Sequence, residues 1–359
     1  MLQYATRRIL LAVPVIFGIL IVTFLLARAI PGDPCKSILG EKATAAACEA
    51  FAENKGLNEP IPTQLAIYIK DVATGDFGES IRFKRSVAQI MVERFPMTIE
   101  LSLTALGIAL VVGIPLGIVS AMKHNTGVDV GAMVFANIGV SMPVFWLGLL
   151  LAYLFAFILR DTIFFLPPSG RLTAGLISVP FYEAWGWSLQ EGTVPFRFAE
   201  FASNHFIFNS FITGDWELFW DAIRHLILPA VALSTIPMAI IARMTRSSLL
   251  DVLGSEYVRT ARAKGAPERR VVVRHALRNA LLPVVTIVGL QMGALLSGAI
   301  LTETVFGLAG AGTMLFEAIT ARDFPIIQGF TVVIAAGYVI LNLIIDISYA
   351  YIDPRIRLE

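Results

Sequence analysis

The chain has 359 residues, 56% of them hydrophobic and only 15% charged, with a formal net charge of +1 and a mean hydropathy of +0.73. That composition excludes a soluble domain. It fits an all-α integral membrane protein whose solvent is largely the lipid bilayer, with no nucleic acid as partner.

A bilayer core takes about twenty apolar residues per helix. Six stretches meet that length: 9–30, 97–122, 130–159, 226–244, 281–301 and 326–351. An even number puts both termini on one side. The first stretch follows Arg7 and Arg8 and is too long for the core of a removable leader. No small-residue cleavage site precedes Pro31-Gly-Asp-Pro34, so the segment 1–30 is expected to be a retained transmembrane helix. An extracytoplasmic insert, 31–96, comes next. Its Cys35 and Cys48 either close a disulfide in an oxidising compartment or remain two thiols that pack. Leu65, Tyr68, Ile69 and Val72 recur at helical spacing after Glu59-Pro60 and predict a helix over 61–72.

Residues 97–359 form the core, with the other five spans, an external loop 160–223 and a basic loop 248–280. Pro115, Pro143, Pro229 and Pro237 imply kinks inside spans. Gly107, Gly113, Gly117, Gly139, Gly289, Gly293, Ala294, Ser297 and Gly298 permit close helix contact. In the external loop, Trp185, Trp187, Phe196, Phe198, Trp216 and Trp220 read as anchors at the membrane surface. Glu100, Glu303 and Asp346 sit near span ends, where they satisfy helix termini or pair with Arg94, Arg322 or a partner subunit.

Lys and Arg mark the cytoplasmic face. Arg7, Arg8, Lys123, Arg243, Arg246, Arg355 and Arg357 lie on the same face as the basic loop, so both termini are expected in the cytoplasm. Nothing on the chain reads as catalytic. Gly32-Asp-Pro-Cys-Lys-Ser37 ends like a phosphate-binding loop, but Cys35 stands where glycine should precede the lysine. Gly307 to Gly312 lacks dinucleotide spacing and follows a span. The four histidines are scattered over both faces, so no bound metal is expected.

The basic loop has the clearest local design. Ser255 is placed to cap a helix that opens on Glu256, at the positive dipole end, and finishes with Arg262 and Lys264 near the negative end. Gly265 then suits the left-handed residue that closes a helix, and Pro267 with Glu268 opens another. The segment therefore reads as helix, sharp turn, helix. Its Glu256, Ala261 and Gly265, followed by Leu282-Pro283, resemble the cytoplasmic coupling motif of bacterial ABC importer permeases. The surrounding residues, Tyr257-Val-Arg-Thr-Ala-Arg-Ala-Lys-Gly265 and His275-Ala-Leu-Arg-Asn-Ala280, are similar to the B-type permease of the dipeptide, oligopeptide and nickel branch. Tyr257 and Thr260 depart from the general form. The likeness extends to Ile30-Pro-Gly-Asp-Pro34, Ser141-Met-Pro-Val-Phe-Trp146, Leu166-Pro-Pro-Ser-Gly-Arg171, Arg243-Met-Thr-Arg-Ser-Ser248, Ala299-Ile-Leu-Thr-Glu-Thr304 and Asp353-Pro-Arg-Ile-Arg357.

The resemblance implies six transmembrane helices of the type I ABC importer permease kind, with external inserts, in the cytoplasmic (inner) membrane. It implies half of a translocation pathway for short peptides or a related solute such as a nickel chelate, glutathione or a sugar. The implied partners are a second homologous permease, two ATP-binding cassette ATPases and an extracytoplasmic solute-binding protein. ATP and Mg belong to the ATPases, and this chain needs no cofactor of its own. Glu256, Tyr257, Arg259, Ala261, Arg262, Lys264 and Gly265 are the implied ATPase-coupling residues. The stretch 302–325 joins the last two spans, which line the pathway in that family. Glu303, Gly310, Gly312, Arg322 and Asp323 are its candidates for an external gate or for contact with the binding protein. The alternative reading is a secondary transporter or channel driven by an ion gradient, which predicts inverted repeats and charge at mid-membrane.

Overall fold

The computed structural model describes residues 2–29, 44–54 and 58–352. Apolar runs become helices because, without water, the backbone must satisfy its hydrogen bonds within each segment. The helices are α1 (Leu2–Ala29), α2 (Ala45–Asn54), α3 (Ile61–Ala73), α4 (Val87–Met122), α5 (Gly127–Ser141) and α6 (Val144–Ala152), which ends in a π turn at Tyr153–Ile158. The loop 160–223 then folds as α7 (Phe181–Ala184), α8 (Val194–Ser203) and α9 (Phe206–Thr213). After it come α10 (Trp216–Leu253), α11 (Glu256–Ala263), α12 (Glu268–Arg270), α13 (Leu277–Gly298), α14 (Ile300–Val305), α15 (Ala311–Ala321) and α16 (Phe324–Ile352). A second π turn, Val271–Ala276, joins α12 to α13. Among the described residues, extended pairing is confined to Glu79 and Ser86.

Each of the six predicted spans falls on helix. Four runs are long and apolar enough to cross by themselves: α4, α10, the run from Glu268 to Leu296, and α16. α1 contributes the shorter apolar stretch Ile9–Leu25. The third predicted span, 130–159, is not one rod: α5 and α6 meet at 98°. Pro143 causes the break. It forces Met142 into extended backbone (φ −109°, ψ 137°) and itself caps α6.

The second span also differs from expectation, because α4 starts ten residues before Met97. Its first turns have their own apolar face. Val87, Ile90 and Met91 are buried against Met314, Ala318, Ile326 and Phe330 of α15 and α16. The predicted helix over 61–72 is present as α3, and Tyr68 packs on Phe24 of α1 with ring centroids 5.7 Å apart.

α10 is the hub. In its apolar window 78% is buried, against 22–39% in the other three runs, and it packs against α4, α5, α6 and α13. Small residues bring the neighbours close. A Cβ on Gly117 of α4 would stand 2.6 Å from the Ala242 carbonyl oxygen, and one on Gly139 of α5 would overlap Thr235. Gly107, by contrast, faces open space. Cys35 lies outside the described residues, as do the side chains of Ser297, Gly298 and Asp346.

Candidate functional site

The loop after α10 forms an elbow. Gly265 has φ +76°, and the two hydrogen bonds that close a helix on a left-handed residue are both made: Gly265 N–H to Arg262 O at 2.9 Å and Ala266 N–H to Ala261 O at 3.2 Å. Across the turn, Arg262 donates through Nε and Nη2 to Glu268, at 3.1 and 2.7 Å. The Glu268 hydrogen bond holds the Arg262 guanidinium above its usual value. Ser255 sits at the N-cap position, but its hydroxyl does not cap α11. It donates back to Val252 O at 2.6 Å.

One residue of α11 is fully buried. Val258 packs with Leu249, Val271, Val272, Ala276, Ala280 and Ala121, which fixes the helix onto α10, α13 and the end of α4. Tyr257, which departs from the general motif, makes a second tie: its hydroxyl accepts from Asn279 Nδ2 at 2.7 Å and reaches His275 O at 3.4 Å. Glu256, Arg259, Arg262 and Lys264 face solvent, with Arg259 donating to Glu256 at 2.9 Å, and Ala261 is half-buried. The elbow therefore presents a charged face on a packed base.

The candidates in the stretch 302–325 fall into two clusters. Glu303 is fully buried and organises a corner: its carboxylate accepts from Thr98 Oγ1 at 2.6 Å, Thr313 N at 2.8 Å and Thr313 Oγ1 at 3.1 Å. Gly310 and Gly312 are small because Glu303 and Ile300 fill the space where their Cβ atoms would stand. Arg322 and Asp323 lie at the far end of α15. Buried Asp323 accepts from Ser80 Oγ at 2.6 Å and Arg82 N at 3.0 Å, tying the first insert to α16, while Arg322 is exposed in a left-handed conformation (φ 55°).

Two charge clusters escaped sequence reasoning. Glu100 pairs with Arg171 of the loop 160–223, not with Arg94. Arg171 Nη2 lies 3.1 Å from Glu100 Oε2 and 2.8 Å from Asn204 O, and its guanidinium lies 3.8 Å from the Phe206 ring centroid. At the end of α10 nearer the elbow, buried Asp129 accepts from Arg246 Nε and Nη2, both at 2.8 Å, and from Asn125 N at 3.0 Å and the Ser120 hydroxyl. Thr126 three residues before Asp129 is an N-cap signal, but the partner on α10 is far away in sequence. Among the described residues no three of His, Cys, Asp and Glu converge to hold a metal.

Residues 113–358 match a family model described as binding-protein-dependent transport system inner membrane component. Residues 1–103 match the model for the N-terminal part of such membrane components. The chain is 45% identical to a dipeptide transport system permease protein of Alkalihalophilus pseudofirmus, covering 99% of this chain and 100% of that one. It is 40% identical to a dipeptide transport system permease protein of Escherichia coli K12, covering 99% of each. It is 37% identical to an oligopeptide transport system permease protein of Bacillus subtilis, covering 99% and 100%.

Proposed function

Because the chain belongs to the family of binding-protein-dependent transport system inner membrane components, we propose that it is the permease subunit of an ATP-driven importer of short peptides. The observation that carries the reading is the elbow at Gly265: a helix with an exposed charged face, held on a packed base by Val258 and stopped by a left-handed glycine. A basic loop that served only to attract lipid headgroups would need no such stop. α11 docks in a cleft of a cytoplasmic ATPase, which binds the ATP and Mg. A second, homologous permease supplies the other half of the pathway, and an extracytoplasmic binding protein delivers the peptide. Both termini are cytoplasmic. The relatives named for dipeptide and oligopeptide transport support the substrate class. The corner organised by Glu303 shapes the external mouth between the last two spans.

The test is peptide uptake into proteoliposomes containing the two permeases and two ATPases, with loaded binding protein on the side opposite the ATPases. Uptake is expected to require ATP and the binding protein and to be indifferent to ionophores. Glu256→Lys, which puts the wrong charge at the positive end of α11, is expected to abolish uptake while the binding protein still captures peptide. Uptake that ran on an ion gradient without ATP would overturn the reading.

A further inference from the structure

At the start of α5, the first half of the bent helix pair, lies the buried cluster around Asp129. Its carboxylate takes hydrogen bonds from three elements: Ser120 of α4, the α4–α5 turn at Asn125, and Arg246 of α10. His124 Nδ1 lies 3.3 Å from Asp129 Oδ2 and 2.9 Å from Arg246 Nη2. The Asp129 side chain is only 6% exposed, so its charge is stabilised chiefly by these partners.

Two features connect the cluster to the coupling elbow. Arg246 lies on α10, which continues unbroken to Leu253 and leads directly into α11. Ser120 is followed by Ala121, which packs in the same apolar cluster as Leu249 of α10 and Val258 of α11. The end of α4 therefore touches the elbow's base through one residue and Asp129 through the one before it.

One face of α5 is open. Val130, Val134 and Ile138 are 63%, 55% and 53% exposed along an open groove of about 930 Å³ that Asn137, Ser141 and Arg246 also line. Beyond Asp129, its ties to α10 are Ala136 packed with Ala239 and Ala242, Gly139 against Thr235, and the Arg243 Nη2 donation to Asn137 at 2.7 Å. At its far end stands the 98° bend.

We propose that Asp129 and Arg246 are positioning residues for coupling: the joint through which displacement of α11 reaches α5 and its bend. The proposal rests on the ATP-driven reading above. The Arg–carboxylate fork has fixed geometry and transmits rotation of α10 as well as translation. Removing it leaves α5 held to α10 by apolar contacts and the Arg243–Asn137 hydrogen bond, which loosens its response to the stroke while leaving the elbow's docking face intact.

The experiment measures peptide taken up per ATP hydrolysed in the reconstituted complex described above. Asp129→Asn preserves shape but sets an amide against Arg246. It is expected to keep hydrolysis stimulated by loaded binding protein while lowering uptake per ATP by about fivefold or more. Arg246→Lys retains the charge without the fork and is expected to fall between Asp129→Asn and the unaltered complex. It supplies the measurement if Asp129→Asn fails to assemble. An unchanged uptake per ATP, including a parallel fall of both activities, overturns the joint and leaves the importer reading standing. Absence of ATP-driven uptake in the unaltered complex overturns both.

Discussion

Gly265 is left-handed at φ +76°, yet a Cβ built there would touch nothing within 4 Å. Any penalty for a side chain is therefore conformational, and it should follow each residue's tolerance of that backbone. Asn visits the left-handed region most readily and a β-branched residue least. Stimulated hydrolysis and uptake are expected to fall in the order Gly265→Asn, Gly265→Ala, Gly265→Val, with the last destabilising the turn by about 1 kcal/mol or more. Equal loss in all three would point to a steric role and sink the backbone explanation. Gly310 is the opposite case. Its φ of −95° suits any residue, but a Cβ would overlap the Glu303 carboxylate. Gly310→Ala is expected to lower the Tm of the purified complex, with overpacking costing about 1–3 kcal/mol. Gly265 was legible in sequence because its stop signal is local, basic residues before it and Pro267 after. Gly310 owes its size to a carboxylate seven residues back that folds over it, and spacing does not show that.

At the scale of elements, the attachments of α11 differ in weight, and burial ranks them. Val258→Asp would bury a carboxylate among Leu249, Val271 and Val272 with no partner, and it is expected to release the helix. Limited proteolysis would show this as new cleavage within 255–268. Tyr257→Phe removes hydrogen bonds at a half-exposed site and is expected to cost at most about 1 kcal/mol, leaving the cleavage pattern unchanged. Glu268→Gln breaks an ion pair whose side chains are 41% and 52% exposed, where solvent screening leaves little to lose. If Glu268→Gln opened the loop as Val258→Asp does, the packed base would not be what holds α11. Apolar length located the four runs able to cross by themselves, the bent pair and the shorter apolar stretch Ile9–Leu25, since the bilayer imposes length on a spanning helix. It missed the bend at Met142 because a proline inside a span predicts a kink without its size. It missed the early start of α4 because Val87, Ile90 and Met91 form a face for α15 and α16, whose position no local pattern reveals.

Across the whole molecule, orientation is an expectation from the sequence, and pairing of charges was the least legible property. The Lys and Arg count in short loops reflects a rule about translocation and needs no fold, whereas Glu100 with Arg171 and Asp129 with Arg246 join residues 71 and 117 apart in the chain. The helices give the orientation a sharp test. α10 runs 38 residues, about 57 Å at 1.5 Å per residue. That is longer than a hydrocarbon core of about 30 Å, so its two ends are expected in different compartments. Exposed Trp216 marks the aromatic end, and the other leads to exposed Lys264. In a variant with Cys35 and Cys48 replaced, Lys264→Cys is expected to resist a membrane-impermeant thiol reagent in intact cells and to react once the membrane is permeabilised. Lys70→Cys and Glu191→Cys, both at exposed positions on the insert and the external loop, are expected to react in intact cells. Because α10 connects the external loop to the elbow in one helix, the two outcomes are not independent. Labelling of Lys264→Cys from outside would invert the chain, move the elbow away from any cytoplasmic ATPase, and leave the basic loop without the partner its shape implies.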